Sequence, residues 1–302
     1  MKQGITLSIL SSFLFAVLYY YTTVLHPLTG AAVFSWRIVL GLPALALLIT
    51  RARGWNEVRL TVGRLRSEAR LWLLLLLSAT LIGVQLLLFV WAPMHQRGLD
   101  VSLGYFLLPL VMVLVGRIFY GERLTRTQTV AVLIAVVGVV HELWRADAFS
   151  WVTALVMFGY PPYFMLRRSL RMGSFCTLWF DMLFLLPVAL VLLYSQDMSV
   201  LEQFTRYPGL FGLIPLLGLI SSAALVSYIS ASRMLPLGLF GILGYVEPVL
   251  LFWVAFLFLG ESMSGQAWLT YIPIWIAVLL MVAEGLFKWI KESKAEKNPA
   301  EA

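Results

Sequence analysis

Polar positions in this chain are confined to short stretches that interrupt long apolar runs. Ten runs reach helical length: residues 4–25, 30–50, 71–93, 101–120, 127–144, 148–166, 174–194, 208–232, 237–259 and 266–287. Each is near the roughly 20 residues that a helix needs to cross a bilayer core. The pattern predicts an all-α integral membrane protein with ten transmembrane helices. The first run follows Met1-Lys2, as a signal peptide would. Its apolar core is too long for one and no small-x-small cleavage site follows, so it is expected to remain as a helix. Pro161-Pro162 in the sixth run is expected to kink or break that helix.

The fourth run is written twice. Residues 103–122, LGYFLLPLVMVLVGRIFYGE, match residues 243–261, LGYVEPVLLFWVAFLFLGE, in the order of their landmarks. Pro109 and Pro248, Gly121 and Gly260, and Glu122 and Glu261 are each 139 residues apart. A repeat of nearly half the chain divides it into residues 1–145 and 146–302, with five runs in each half. Five is odd, so the second half must cross the membrane upside down relative to the first. Inverted repeats of this kind give secondary transporters two related states, because exchanging the conformations of the halves turns an outward-open site inward.

Charge fixes the expected orientation. With the N-terminus inside, seventeen Lys and Arg residues fall in inside segments and only Arg97, Arg145 and Arg206 fall outside. That bias places both termini in the cytoplasm. The net charge of +7 is thus a topology signal rather than a nucleic-acid footprint. The Arg cluster over residues 51–70 is expected to face anionic lipid as well. Composition agrees: 61% of residues are apolar and 12% charged, against roughly a quarter charged in soluble domains. The single cysteine, Cys176, excludes an internal disulfide and reads as a packing residue.

Two tandem five-helix halves, each with a Pro-containing helix that stops at Gly-Glu, resemble the EamA-type drug/metabolite transporters. Ser102 to Phe106, Pro109, Gly121 to Leu124 and the Trp36-Arg37 pair look most like the RarD-type permeases. Glu247 before Pro248 departs from that branch and looks like other EamA members. The resemblance implies a bacterial inner-membrane permease for small organic solutes.

Candidate solute contacts are the polar residues placed at depth. A charge at a helix centre costs about 2.5–3.5 kcal/mol on insertion scales, so it should meet a partner or a wet cavity. Arg37 and Asp181 are the eighth residues of the second and seventh runs, equivalent positions in the two halves. At 1.5 Å per residue each lies about 12 Å deep, which suggests a charged pair or a shared polar site. Glu247 lies near the middle of the ninth run, and Pro248 beside it removes a backbone donor. That makes Glu247 a candidate for binding solute or a coupling proton. Tyr105 and Tyr245 are repeat mates on the faces of their prolines, so they could wall a cavity, with Pro109 and Pro248 as hinges. Trp36, Gln85 and Tyr228 complete the set of candidate solute-binding residues. Small residues recur at Ala223, Ser227 and Ala231 and at Gly238, Gly241 and Gly244, as in close helix contacts. Glu122 and Glu261 read as helix-end markers facing water.

Several chemistries find no motif. His95 and the His141-Glu142 pair lack a second histidine at ligand spacing, so no metal is expected. No phosphate-cradling glycine loop is present, so transport needs no nucleotide or other cofactor in this chain. The expected activity is secondary or facilitative permeation by a monomer or homodimer, in contact with lipid and solute, with the proton as candidate coupling ion. A lipid-modifying membrane enzyme and a non-transporting receptor or scaffold are the competing classes. The enzyme would need a catalytic cluster near an interface, and none is seen.

Overall fold

The computed structural model describes residues 2–121, 123–145, 150–170, 172–235, 240 and 243–297, and among them the regular structure is helical. In order these are α1 (Lys2–Val24), α2 (Gly30–Arg51), α3 (Trp55–Ser67), α4 (Ala69–Met94), α5 (Gly98–Tyr120) and α6 (Arg126–Arg145). Then follow α7 (Trp151–Leu170), α8 (Ser174–Tyr194), α9 (Val200–Arg206), α10 (Leu210–Met234), α11 (Val246–Trp253), a π-helical turn (Val254–Phe258) and α12 (Trp268–Lys297). Among the described residues, seven helices are long and apolar enough to cross a membrane: α1, α2, α4, α5, α8, α10 and α12. The fifth and ninth runs yield the shorter apolar helical stretches Arg126–His141 and Val246–Phe258.

The structure departs from the sequence pattern in four places. The basic stretch after α2 is not a loop but contains α3, which lays Val58, Thr61 and Leu65 against the body at helical spacing. The short helix α9 forms where a connection was expected, with the Ser199 hydroxyl accepting from the Glu202 amide. The tandem prolines 161 and 162 do not interrupt α7, which runs unbroken from Trp151 to Leu170. In the ninth run, residues 244 and 245 form a turn and α11 starts at Val246. Pro248 is therefore the third residue of a helix, where the missing N–H has no intrahelical acceptor to lose. Gly238 and Gly241 lie outside the described residues.

The chain divides into two compact units, each drawn from both sequence halves. The first comprises residues 1–13, 98–157 and 227–302. Its core joins Leu103, Phe106, Leu107 and Leu110 of α5 with Ala131 and Ala135 of α6, Phe252 of α11, and Tyr271, Ile274 and Ala277 of α12. Small residues let α6 lie close on α12: a Cβ at Gly138 would stand 2.7 Å from the Thr270 carbonyl oxygen. Rings fill the rest, with Phe252 edge-on to Trp275 at 5.0 Å and Trp268 edge-on to Trp275 at 5.9 Å. Gly121 and Gly260 both take φ +66°, the left-handed conformation that suits a glycine closing a helix.

The second unit comprises residues 14–97 and 158–226. Here α2 and α4 pack on α8, and α3 packs on α4. The core joins Leu42, Leu45 and Ile49 of α2, Leu71 and Leu75 of α4, and Cys176, Phe180 and Met182 of α8. Cys176 is buried there against the Thr61 hydroxyl at 3.3 Å, the packing role its isolation suggested.

Candidate functional site

The second unit carries a polar chain through an otherwise apolar interior. Asp181, on α8, has no exposed surface. Its Oδ1 accepts from the Ser78 hydroxyl of α4 at 2.7 Å, and its Oδ2 accepts from the Tyr163 hydroxyl of α7 at 3.0 Å. Tyr163 in turn accepts from Arg167 Nη1 at 2.9 Å, and the guanidinium lies 5.4 Å from the Tyr163 ring centre. Arg167 follows Tyr163 by four residues, so one face of α7 presents both.

Most buried hydroxyls behave differently. Those of Ser11, Thr22 and Ser35 donate to carbonyls of their own helices, which satisfies the group without linking helices. Ser78 and Tyr163 instead converge from two helices on one carboxylate. A carboxylate withdrawn from water demands donors, and hydrogen bonds to an ionised acceptor are about twice as strong as neutral ones. The chain thus runs from a half-buried cation, through a phenol, to a fully buried acid.

Arg37 takes a separate position in this unit. It is 9% exposed; its Nε donates to the Ser221 hydroxyl at 3.2 Å and its Cζ lies 5.5 Å from the Phe89 ring centre. The carboxylate of Asp181 is held by two hydroxyls rather than by Arg37, so the direct pair suggested by their depths is not formed. The reason is local: Ser78 and Tyr163 reach the acid first, one from each flanking helix. Trp36 is half-buried and stands edge-on to Phe204 at 6.1 Å; its indole N–H is buried without a hydrogen-bond partner. Gln85 is 2% exposed on α4, two turns beyond Ser78.

The other expected residues belong to the first unit. Tyr105 is half-buried on α5, and Pro109 lies within that helix without ending it. Tyr245 precedes α11, packs against the core, and keeps its hydroxyl buried without a hydrogen-bond partner. Glu247 sits half-buried in the first turn of α11, beside buried Pro248, rather than at the middle of a helix. Tyr228 is 39% exposed and stands edge-on to Phe240 at 4.9 Å.

Glu261 overturns its reading as a marker facing water. It is 7% exposed, and its carboxylate accepts from the backbone amides of Gly98 at 2.6 Å and Leu99 at 2.8 Å. It therefore caps the N-terminus of α5, where unsatisfied amides and the helix dipole both favour an anion. Its repeat mate Glu122 lies outside the described residues. Glu57 of α3 similarly accepts from the backbone amide of Gly173, the N-cap of α8. His141 Nδ1 rests 3.0 Å from the Thr270 hydroxyl, and the described residues hold no cluster of three metal-ligating side chains.

Sequence reasoning missed Ser78, Tyr163 and Arg167. Ser78 ends a run of five leucines, and Tyr163 and Arg167 share a helix face by spacing alone. Both signals were present, but Ser78 and Tyr163 carry no charge and Arg167 lies near the end of its helix, so none met the criterion of a charge at mid-span that selected Arg37 and Asp181.

Residues 2–141 match the EamA-like transporter family. A chloramphenicol-sensitive protein RarD of Pseudomonas aeruginosa is 49% identical over 279 residues, covering 92% of this chain and 93% of that protein. An uncharacterized transporter of Haemophilus influenzae is 36% identical over 95% of this chain and 96% of its own length. The protein RarD of Escherichia coli is 26% identical, over 97% of this chain and 98% of its own. A solved crystal structure 15% identical in sequence superposes with a TM-score of 0.56, covering 93% of this chain and 98% of that one, a likeness of fold alone.

Proposed function

This chain belongs to the EamA-like transporter family, on its RarD-like branch, and from that premise we propose that it is a permease moving small organic solutes by alternating access between inverted repeats. It is a multi-pass protein of the bacterial inner membrane, a placement its apolar helices and its bacterial relatives support. The finer architecture is ten spans in two inverted halves, 1–145 and 146–302, with both termini cytoplasmic. The 139-residue spacing of landmarks supports it, as does the shared φ of +66° at Gly121 and Gly260. So do the helix pairs: α2 packs on α8, α5 on α11 and α6 on α12, each joining runs of equivalent rank in the two halves.

The observation that carries the reading is a buried guanidinium and a buried carboxylate at equivalent positions, Arg37 and Asp181, each held by hydroxyl groups in an apolar unit. An inert membrane bundle has no use for two such costly groups, whereas a solute path needs polar surface at depth. Trp36, Arg37, Gln85 and Asp181 are the solute-facing set in this unit, and Tyr105, Tyr228, Tyr245 and Glu247 in the other. Pro109 and Pro248 act as hinges. The protein is a carrier rather than an enzyme, exporting or exchanging solute, with the proton as its coupling ion.

The test is a thermal-shift screen of purified protein against amino acids, aromatic metabolites, cationic drugs and chloramphenicol, the last suggested by the relative's name. Ligands that raise the melting temperature are then tested for counterflow in proteoliposomes. Saturable counterflow absent from empty liposomes is expected. Binding without any flux would contradict the permease reading and favour a receptor.

A further inference from the structure

On its sequence position Glu247 is a candidate for binding solute or a coupling proton. We propose instead that Asp181 is the proton-binding group, and that Tyr163, Arg167 and Ser78 are the positioning residues that govern when it is charged. The coupling role rests on the permease reading above; the proton site itself does not.

The donors to a buried acid decide whether it can change charge. A carboxylate fixed by backbone amides cannot change charge without dismantling a helix end, because those donors have nowhere else to point. Both donors to Asp181 are side-chain hydroxyls. A hydroxyl can turn to accept instead of donate, so the site can hold either the carboxylate or the carboxylic acid. Protonation is then R–COO⁻ + H₃O⁺ → R–COOH + H₂O, with the new O–H donating to the oxygen of Ser78. No helix bond need break.

The surroundings favour such a switch. Elements packed about α8 bring Arg37 from α2, Ser78 from α4, Tyr163 and Arg167 from α7, and Glu57 from α3. Of these, Ser78 and Tyr163 hydrogen-bond to the carboxylate, and the positive charge of Arg167 reaches it through one phenol. A proton on Asp181 removes the charge that Tyr163 and Arg167 hold to, so the Tyr163–Asp181 link from α7 to α8 weakens. Occupancy by a proton is thereby tied to how firmly α7 is held, which is what coupling to a conformational change requires.

Substrate is not needed for the test. The full chain in lipid nanodiscs is titrated with pH while infrared difference spectra follow the C=O stretch of a protonated carboxylic acid. The wild type should show such a band, and Asp181→Asn should remove it while circular dichroism stays unchanged. Tyr163→Phe deletes a donor to the ionised form, so the band should persist about one pH unit further into alkali. Arg167→Gln should move it the same way by less, and Glu247→Gln should leave it in place. A purely structural Tyr163 would alter melting but not the midpoint. No band assignable to Asp181, or a band lost in Glu247→Gln, overturns the proposal. Counterflow without the band would sink the proton site and spare the permease; the band without counterflow would do the reverse.

Discussion

Two buried acids in this protein meet opposite fates. Glu261 sits against the end of α5 and receives two backbone amides; Asp181 sits within α8 and receives two side-chain hydroxyls. The amides belong to a helix terminus that must be satisfied somewhere, so Glu261 completes the fold. The Ser78 hydroxyl could have returned to its own helix, as those of Ser11 and Ser35 do. Its convergence with Tyr163 on Asp181 therefore serves the acid rather than the helices. Burial alone does not separate the two, since both are almost fully enclosed. The kind of donor does: fixed donors mark a structural carboxylate and adjustable donors mark one that can change state.

Substitutions can break that comparison, beginning with a reference for pure packing. Gly138→Ala drives a Cβ toward the Thr270 backbone oxygen, which cannot swing aside, and should cost about 2–3 kcal/mol in thermal unfolding. Glu261→Ala comes next. It strands two amides at a buried helix end and removes the anion from the dipole, for a loss of about 2 kcal/mol. Tyr163→Phe removes one donor from Asp181 and the acceptor of Arg167, and should cost about 1 kcal/mol. Asp181→Asn keeps the shape and leaves Ser78 and Tyr163 with a partner, so its melting should move by less than that. If Asp181→Asn proved as damaging as Glu261→Ala, the two acids would be structural alike. The smallest effect is expected at the surface pair Arg64–Glu68, whose members are 44% and 49% exposed. Arg64→Ala should cost about 0.3–0.5 kcal/mol, an i,i+4 pair in water.

The apolar pattern placed nearly every long helix, because a bilayer permits few alternatives and hydropathy reads directly as span. It failed where the cause was local. The basic stretch after α2 looked like a loop because its Arg residues outweigh Val58, Thr61 and Leu65, yet three buried contacts at helical spacing suffice to seat α3. Pro248 looked like a helix interruption because the run before it was read as continuous; with the helix starting at Val246, the proline is at home in the first turn. The candidate site was half legible. Arg37 and Asp181 stood out as charges in apolar runs, whereas their partners Ser221, Ser78 and Tyr163 are ordinary residues whose importance comes from the helices that bring them together. Glu261 was misjudged because a glutamate after a glycine signals a helix end, but not that a second helix begins against it.

Asp181 belongs, on this reading, to the solute path and not to the scaffold. The direct measurement is counterflow per folded molecule in proteoliposomes for wild type and Asp181→Asn, using a solute that the screen returns. Asp181→Asn should melt within a few degrees of wild type and lose counterflow to the level of empty liposomes. Wild-type counterflow from Asp181→Asn would contradict it.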